Sequence, residues 1–399
     1  MLYNLTDEWQ SWLEEHNLGP IISVMHQLQF RALFALLLAF VLVLLAGRSV
    51  ISWLRRLKIG DNPEFHNANL NELMKQKKGT PTMGGLLICG AVLVTCLLLA
   101  DVLHNRYVHV TLVVLVWLSI LGGWDDWLKL TASRRQPGSR DGLVAWEKLL
   151  FQLGIGVIAA WFLWSAASTP DALALNLPFQ RTYPPSPGER IWQGLPLEPG
   201  VLVLGLPAFL AIGSLFIAYT SNAVNISDGM DGLAAGMMTV VSIALMALTW
   251  VAGTRDAAYF LLVPYVPGSG ELMVVAGALA GASLGFLWFN GAPASVFMGD
   301  TGSLAVGGVL ATIAVAIRQE ILLLVVGGVF YLEAVSVMAQ VGFFKLTRKM
   351  TGEGRRLLRC APIHHHFQLG GWTETQVVAR FWIITAVLAM LALASVKVR

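Results

Sequence analysis

The chain has 399 residues, of which 56% are apolar and only 13% charged, about half the charged fraction of a soluble domain. That balance excludes a soluble fold and makes the bilayer the main solvent. The net charge of +3 is a side-of-membrane bias and implies no nucleic acid partner, and three cysteines, two of them in one apolar run, imply no disulfide framework.

Residues 1–29 come first, and "MLYNLTDEWQSWLEEHNLGP" lacks the basic start of a cleaved signal. It reads as a short helix on the outer surface. Runs of roughly 18 or more apolar residues then predict ten membrane helices. They span 30–54, 83–103, 107–123, 148–168, 201–221, 233–253, 271–289, 302–317, 320–345 and 376–397. The eighth is short and rich in glycine. The expected fold class is therefore all-α, a polytopic integral membrane protein with one ten-helix domain over 30–399. Nineteen of the 27 basic residues lie in the connections after helices one, three and nine, at the helix ends that border them, or at Arg380. Because Lys and Arg are retained on the cytoplasmic side, both termini are expected outside.

That topology gathers five aspartates at the cytoplasmic membrane edge. Asp125 and Asp126 stand in "LGGWDDWLKL", Asp228 and Asp231 in "SNAVNISDGMDGLAAG", and Asp300 in "FNGAPASVFMGDTGSL". A single Asp before Gly at a helix end is usually a cap or turn residue, and Asp126 or Asp231 fits that role. Adjacent carboxylates repel, however, and three such segments on one side call for a cation between them. Oxygen ligands without cysteine favour a hard ion, and Mg²⁺ uses one or two protein carboxylates while keeping water and substrate phosphates.

Basic residues border the same edge. "KQKKGTPTMGG" places Lys75, Lys77 and Lys78 before a turn that opens helix two, where free N–H groups and hydroxyls can meet anions. Lys129 follows the aspartate pair and Lys148 opens helix four. Juxtamembrane lysines are ordinarily topology signals and headgroup contacts, which suffices for Arg55, Arg56 and Lys58; those beside the acidic motifs are candidates for a diphosphate. "APIHHHFQLGGW" carries His364, His365 and His366. Consecutive side chains diverge, so one zinc ion could not readily take all three, and phosphate contact or proton handling is the better reading. Glu333 lies at bilayer depth in helix nine and needs a partner inside the bundle; a hydrogen bond that bends this helix, with Gly327 and Gly328, is expected.

"KKGTPTMGG", "DDWLK", "NAVNISDGMDGLA", "FLWFNGAPASVFMGDTGSLAVGG", "EAVSVMAQV" and "APIHHHF" occur in this order from about residue 77 to the C-terminus. Together they resemble the phospho-N-acetylmuramoyl-pentapeptide transferase (MraY) family of polyprenyl-phosphate hexosamine-1-phosphate transferases. The resemblance implies ten helices, a cytoplasmic active site, a homodimer and residence in the bacterial cytoplasmic (inner) membrane. It implies transfer of phospho-MurNAc-pentapeptide from UDP-MurNAc-pentapeptide to undecaprenyl phosphate, giving lipid I and UMP in peptidoglycan biosynthesis. It makes Asp300 the Mg²⁺ ligand, with Asp125 and Asp126 near the metal and the lipid phosphate. Lys77, Thr82, Asn225, Asp228, Gly229, Asp231, Asn290 and Phe297 correspond to the nucleotide and diphosphate surroundings. The uracil falls near Gly229 to Asp231 and Phe297, and Gln340 and His364 to His366 flank the cleft. The chain departs from the family at "GDNPEFHNANLNELMKQ", where a Gly-Pro-x-Ser-His stretch is usual, and at Ile226 and Ser227, where Leu and Thr are common.

Two other readings compete. A sibling transferase using UDP-GlcNAc shares the acidic segments, although "APIHHHF" favours the muramoyl branch. A cation transporter also clusters aspartates, but near the bilayer midplane on broken helices. Since one phosphoanhydride replaces another, the expected reaction is reversible with UMP. An acceptor phosphate with a second pKa of about 6 does not call for a strong general base.

Overall fold

The computed structural model describes residues 2–16, 19–57, 77, 79–135, 142–184 and 196–396. The unusual 60–76 stretch, with Lys75, and also Lys78 and the last three residues, lie outside the described residues. Nine helices among the described residues are long and apolar enough to cross a membrane, and a tenth, Gly85–Leu99, is apolar but shorter. We number these ten α1 (Leu28–Arg56), α2 (Gly85–Leu99), α3 (Arg106–Arg135), α4 (Ala145–Ala166), α5 (Leu206–Ser227), α6 (Leu233–Gly253), α7 (Leu272–Asn290), α8 (Gly299–Ala316), α9 (Gly328–Thr351) and α10 (Glu374–Ser395). The chain is an all-α polytopic membrane protein, as its composition predicts.

Two departures from the apolar runs bear on the charged residues. Helix α3 continues to Arg135, so Asp125 and Asp126 stand on a helix and not in the loop expected for them. Their carboxylates find partners on neighbouring elements, and the backbone keeps its ladder past the last apolar residue. The ninth run, expected as one span, divides into Glu320–Val326 and α9 at Gly327. Beyond the apolar part, α9 runs on to Thr351 and ends at Gly352, whose φ of 80° suits a glycine stop.

Small residues set the packing, because lipid gives helices no hydrophobic reason to associate and close backbone approach must supply the contact. On α7, Gly277, Gly281 and Gly285 recur every fourth residue and face the backbone carbonyls of Ala32, Leu36 and Phe40 on α1, where a β-carbon would clash. The glycine-rich α8 is the most enclosed span. Gly302 abuts Gly85 of α2, Gly307 abuts Thr220 and Ser221 of α5, and Gly308 abuts Leu118 of α3. Glycine made this segment look weak as a span, yet here it permits a helix ringed by others. Polar side chains add adhesion: Asn222 Nδ2 donates to Gln152 Oε1 at 2.7 Å, Gln152 Nε2 to Ser221 Oγ at 3.2 Å, and Ser221 Oγ to the Leu304 carbonyl at 2.9 Å. That chain joins α4, α5 and α8.

The bundle has two dissimilar ends. At one, Arg31 grips both oxygens of Glu271 (2.9 and 2.5 Å) and lies over the Tyr3 ring, while Asn4 donates to Asp101 at 2.7 Å. These contacts dock Leu2–Glu8, the first of the three short helices that precede α1. Arg318 and Glu320 form a second enclosed pair at 2.7 Å, and Arg318 Nε donates to the Ala174 carbonyl at 3.1 Å, tying down the segment after α4. An open cavity of about 500 Å³ lies between the start of α3 and the end of α4, lined by Arg106, His109 and apolar residues, four helical turns from Asp125. The other end carries the aspartates.

Candidate active site

Helix α3 delivers Asp125, Asp126 and Lys129 on successive turns. Asp125 is fully buried. Its Oδ1 accepts the Leu143 N–H at 2.6 Å, and its Oδ2 lies 2.8 Å from Lys129 Nζ and 2.7 Å from Lys148 Nζ. The same two ammoniums reach Asp300 Oδ2, at 2.9 and 2.6 Å. Asp300 Oδ1 takes the amide of Asn225 at 2.6 Å, and that amide also reaches Ser303 Oγ at 2.8 Å. Asp125, Lys129, Lys148, Asn225 and Asp300, expected from four segments, thus form one network.

Asp126 does something else. It accepts the backbone N–H groups of Asp300 (3.1 Å) and Thr301 (3.0 Å) and the Thr301 hydroxyl (2.7 Å). It caps the start of α8, where unpaired donors and the helix dipole both favour a carboxylate. Gly299 precedes Asp300 with a φ of 71°. A β-carbon there would sit 2.6 Å from Asp126 Oδ2 and 2.8 Å from Thr82 Oγ1, so a side chain would be strained and would break the cap. Thr82 is therefore beside the acidic network, buried next to Gly299.

A second group surrounds the turn after α5. Asp231 Oδ1 accepts from Lys77 Nζ at 2.7 Å and Oδ2 from the Ala294 N–H at 2.9 Å. Asn290 spends both ends of its amide, accepting from Gly232 N at 3.0 Å and donating to the Val296 carbonyl at 2.9 Å. Phe297 is half-buried, its N–H on Pro81 O and its carbonyl on Gly84 N, both at 2.8 Å. Asp228, earlier in the turn, has its pKa pushed up to about 7 by burial and by the carboxylates of Asp300 and Asp126. Loss of hydration is the larger cause, and the neighbouring carboxylates add to it.

The histidines divide by environment. His364 and His365 are buried, and His366 is partly exposed and accepts the Arg359 N–H at 3.1 Å. Burial and neighbouring His364 push the His365 pKa down to about 3, so this ring is neutral at pH 7 and meets any phosphate by hydrogen bond only. His364 packs against Gly229. Gln340 holds the following loop, its Oε1 accepting from Leu357 and Leu358 N–H at 3.0 and 2.8 Å.

One participant has no motif to announce it. Glu374 Oε1 accepts from Lys77 Nζ at 2.5 Å and from the Asp231 N–H at 2.9 Å, closing a ring of three charged side chains. In sequence it is a first-turn acid of α10 behind the capping residue Thr373, an ordinary reason for a glutamate there. Lys77 and Glu374 are 297 residues apart, so no local pattern signals the pairing.

The donor set suits a hard cation. Asp300 and Asp125 offer carboxylates at one edge without cysteine, and Mg²⁺ needs only one or two protein carboxylates beside water and phosphate. No compact set of three or more His, Cys, Asp or Glu occurs among the described residues. Comparison with known families gives two matches. The profile described as glycosyl transferase family 4 matches residues 108–318, more than half of the chain. The phospho-N-acetylmuramoyl-pentapeptide-transferase signature 1 matches residues 77–89, the segment bearing Lys77 and Thr82.

Proposed function

We infer the reaction from one premise: the chain belongs to glycosyl transferase family 4, in its phospho-N-acetylmuramoyl-pentapeptide transferase branch. It is a membrane enzyme of phospho-sugar transfer in peptidoglycan synthesis. We propose that it moves phospho-MurNAc-pentapeptide from UDP-MurNAc-pentapeptide to undecaprenyl phosphate, forming lipid I and UMP reversibly. It does so as a homodimer, at the cytoplasmic face of the bacterial inner membrane, with Mg²⁺. The observation that carries this reading is the shared grip of Lys129 and Lys148 on Asp125 and Asp300, beside the turn of Asp228 to Asp231.

Phosphoryl transfer needs placement and charge neutralisation more than covalent help from the protein. Lys129, exposed at the edge, and Lys148, mostly buried, are point charges on flexible stems and can turn to an entering diphosphate. Asp300, with Asp125 beside it, would hold Mg²⁺, which when bound supplies the countercharge to the diphosphate. Asp126 keeps α8 in register so that Asp300 stays aimed. Lys77 and the 228–231 turn, with Phe297, receive the nucleotide, and Asn290 keeps that turn and the 291–298 loop together. Asp125 orients the acceptor phosphate, which is largely ionised at neutral pH and needs no strong base.

The test offers UDP-MurNAc-pentapeptide and UDP-GlcNAc side by side, with undecaprenyl phosphate, to the detergent-solubilised protein. Mg²⁺-dependent release of UMP from the muramoyl donor is expected. Release from UDP-GlcNAc alone would place the chain with the sibling transferases, and release from neither would reject the reaction.

A further inference from the structure

Glu333 is fully buried in the first half of α9, where a carboxylate is costly and needs a reason. Bending of its helix is not that reason. The break falls at Gly327, whose N–H bonds Leu323 O at 2.8 Å, and α9 runs unbroken from Gly328 through Glu333 to Thr351. The carboxylate points to another element: Oε2 lies 3.0 Å from Nδ1 of His364 and 3.5 Å from the His364 backbone N–H.

His364 is itself completely enclosed. The far edge of its ring meets the turn after α5, because a β-carbon on Gly229 would stand 2.5 Å from Nε2 and 2.8 Å from Cε1. His365 packs edge-on against the ring at 4.2 Å between centroids. The Nδ1 contact is short but its N–H axis is not aimed along it, and neither ring nitrogen has a hydrogen bond of normal geometry among the described residues. In the neutral ring, a carboxylate beside Nδ1 selects the tautomer protonated there and leaves Nε2 an acceptor. That buried nitrogen lies against Gly229, between Asp228 and Asp231.

We propose that Glu333 is a positioning residue for the transfer: its carboxylate fixes the ring of His364 so that Nε2 is presented as an acceptor to the 228–231 turn and the donor nucleotide held there. The inference rests on the assignment of that turn to the donor. It gives the buried charge of α9 a purpose that neither motif nor topology supplies, and it makes one histidine of the run distinct from its neighbours.

A double-mutant cycle tests it. Glu333→Gln should lower kcat about 10- to 100-fold, the usual cost of losing an orienting carboxylate, with donor KM little changed. Glu333→Gln combined with His364→Ala should be no slower than His364→Ala alone. Losses that multiply, or parental kcat in Glu333→Gln, would overturn the proposal. Should the Gln variant fail to fold, Glu333→Asp enters the same cycle with the same two outcomes. Independently of turnover, ¹⁵N-histidine spectra in lipid identify His364 as the resonance missing from His364→Ala. The Nδ1–H tautomer is expected, and an Nε2–H tautomer would overturn the positioning role. A parent protein that transfers nothing to undecaprenyl phosphate would instead reject the donor reading, leaving the spectra to decide on the pair.

Discussion

The two ends of the bundle treat buried charge in opposite ways. At the end carrying the N-terminal helices, two enclosed carboxylates each have their own guanidinium: Arg31 clasps Glu271 bidentately, and Arg318 meets Glu320. At the other end, Asp125, Asp126, Asp228 and Asp300 converge with Lys129 and Lys148 among them, and one of the four carboxylates is displaced to a pKa of about 7. Arg presents a rigid fork suited to a fixed partner, whereas Lys is a mobile point charge. Matched arginine pairs build the scaffold, and an unmatched acidic group with lysines is poised for a ligand that brings its own charge.

The largest expected effect comes from making Asp300 neutral. Asp300→Asn retains the contact with Asn225 in shape but removes the charge that both lysines share, and turnover should fall roughly 10²- to 10³-fold with folding intact. Turnover near the parental level, with unchanged Mg²⁺ dependence, would erase the functional side of the comparison. The scaffold side predicts the reverse pattern. Arg31→Met strands Glu271 and should cost about 3 kcal/mol of stability, read as a loss of resistance to thermal unfolding in detergent. Activity per folded molecule should stay parental, and a fall in kcat without loss of stability would contradict the division.

Much of this division is legible in the sequence, and its limits are physical. The apolar runs foretell the helices because a bilayer demands long uninterrupted segments, and DDWLK, SDGMDG and MGDTG mark the acidic end because charge at a membrane edge stands out. What stays hidden is pairing across distance. Nothing in "DDWLK" distinguishes Asp125, bound to lysines, from Asp126, bound to the start of α8 174 residues away. The ring of Lys77, Asp231 and Glu374 joins three segments remote in sequence, and Glu374 looks like a helix-start acid. The bend expected in helix nine rests on local glycines, whereas the actual partner of Glu333, His364, comes from the short helix Ile363–Gln368 beyond.

Smaller effects sharpen the boundary between the two kinds of charge. Glu374→Gln keeps an acceptor for the Asp231 N–H but removes one of the two carboxylates that hold Lys77, so donor KM should rise about tenfold, the scale of one charged hydrogen bond, with kcat nearly unchanged. A purely structural role would instead lower the melting temperature and leave KM alone. His365→Ala, which removes a neutral ring, should reduce turnover less than Asp300→Asn and leave UMP binding intact; stoichiometric zinc lost with the side chain would revive a metal reading of the histidines.

The slightest signal should appear in stability against pH. Asp228 holds its proton up to about pH 7 in the folded chain, against an ordinary value of 3.8. Between those values the folded state binds more protons than the unfolded state, so stability should fall as pH rises through that window. Asp228→Asn should flatten the slope between pH 4 and 7, and Mg²⁺ should reduce it in the parent. An unchanged slope in the variant would show that Asp228 is already compensated.

The comparison is tested most directly by calorimetric titration of UMP, with and without Mg²⁺, into the parent, Asp300→Asn and Arg31→Met proteins at matched folded concentration. Mg²⁺ should tighten UMP binding in the parent and in Arg31→Met, and that enhancement should vanish in Asp300→Asn. Equal enhancement in Asp300→Asn, or its loss in folded Arg31→Met, would contradict the assignment of the unmatched acidic end as the catalytic one.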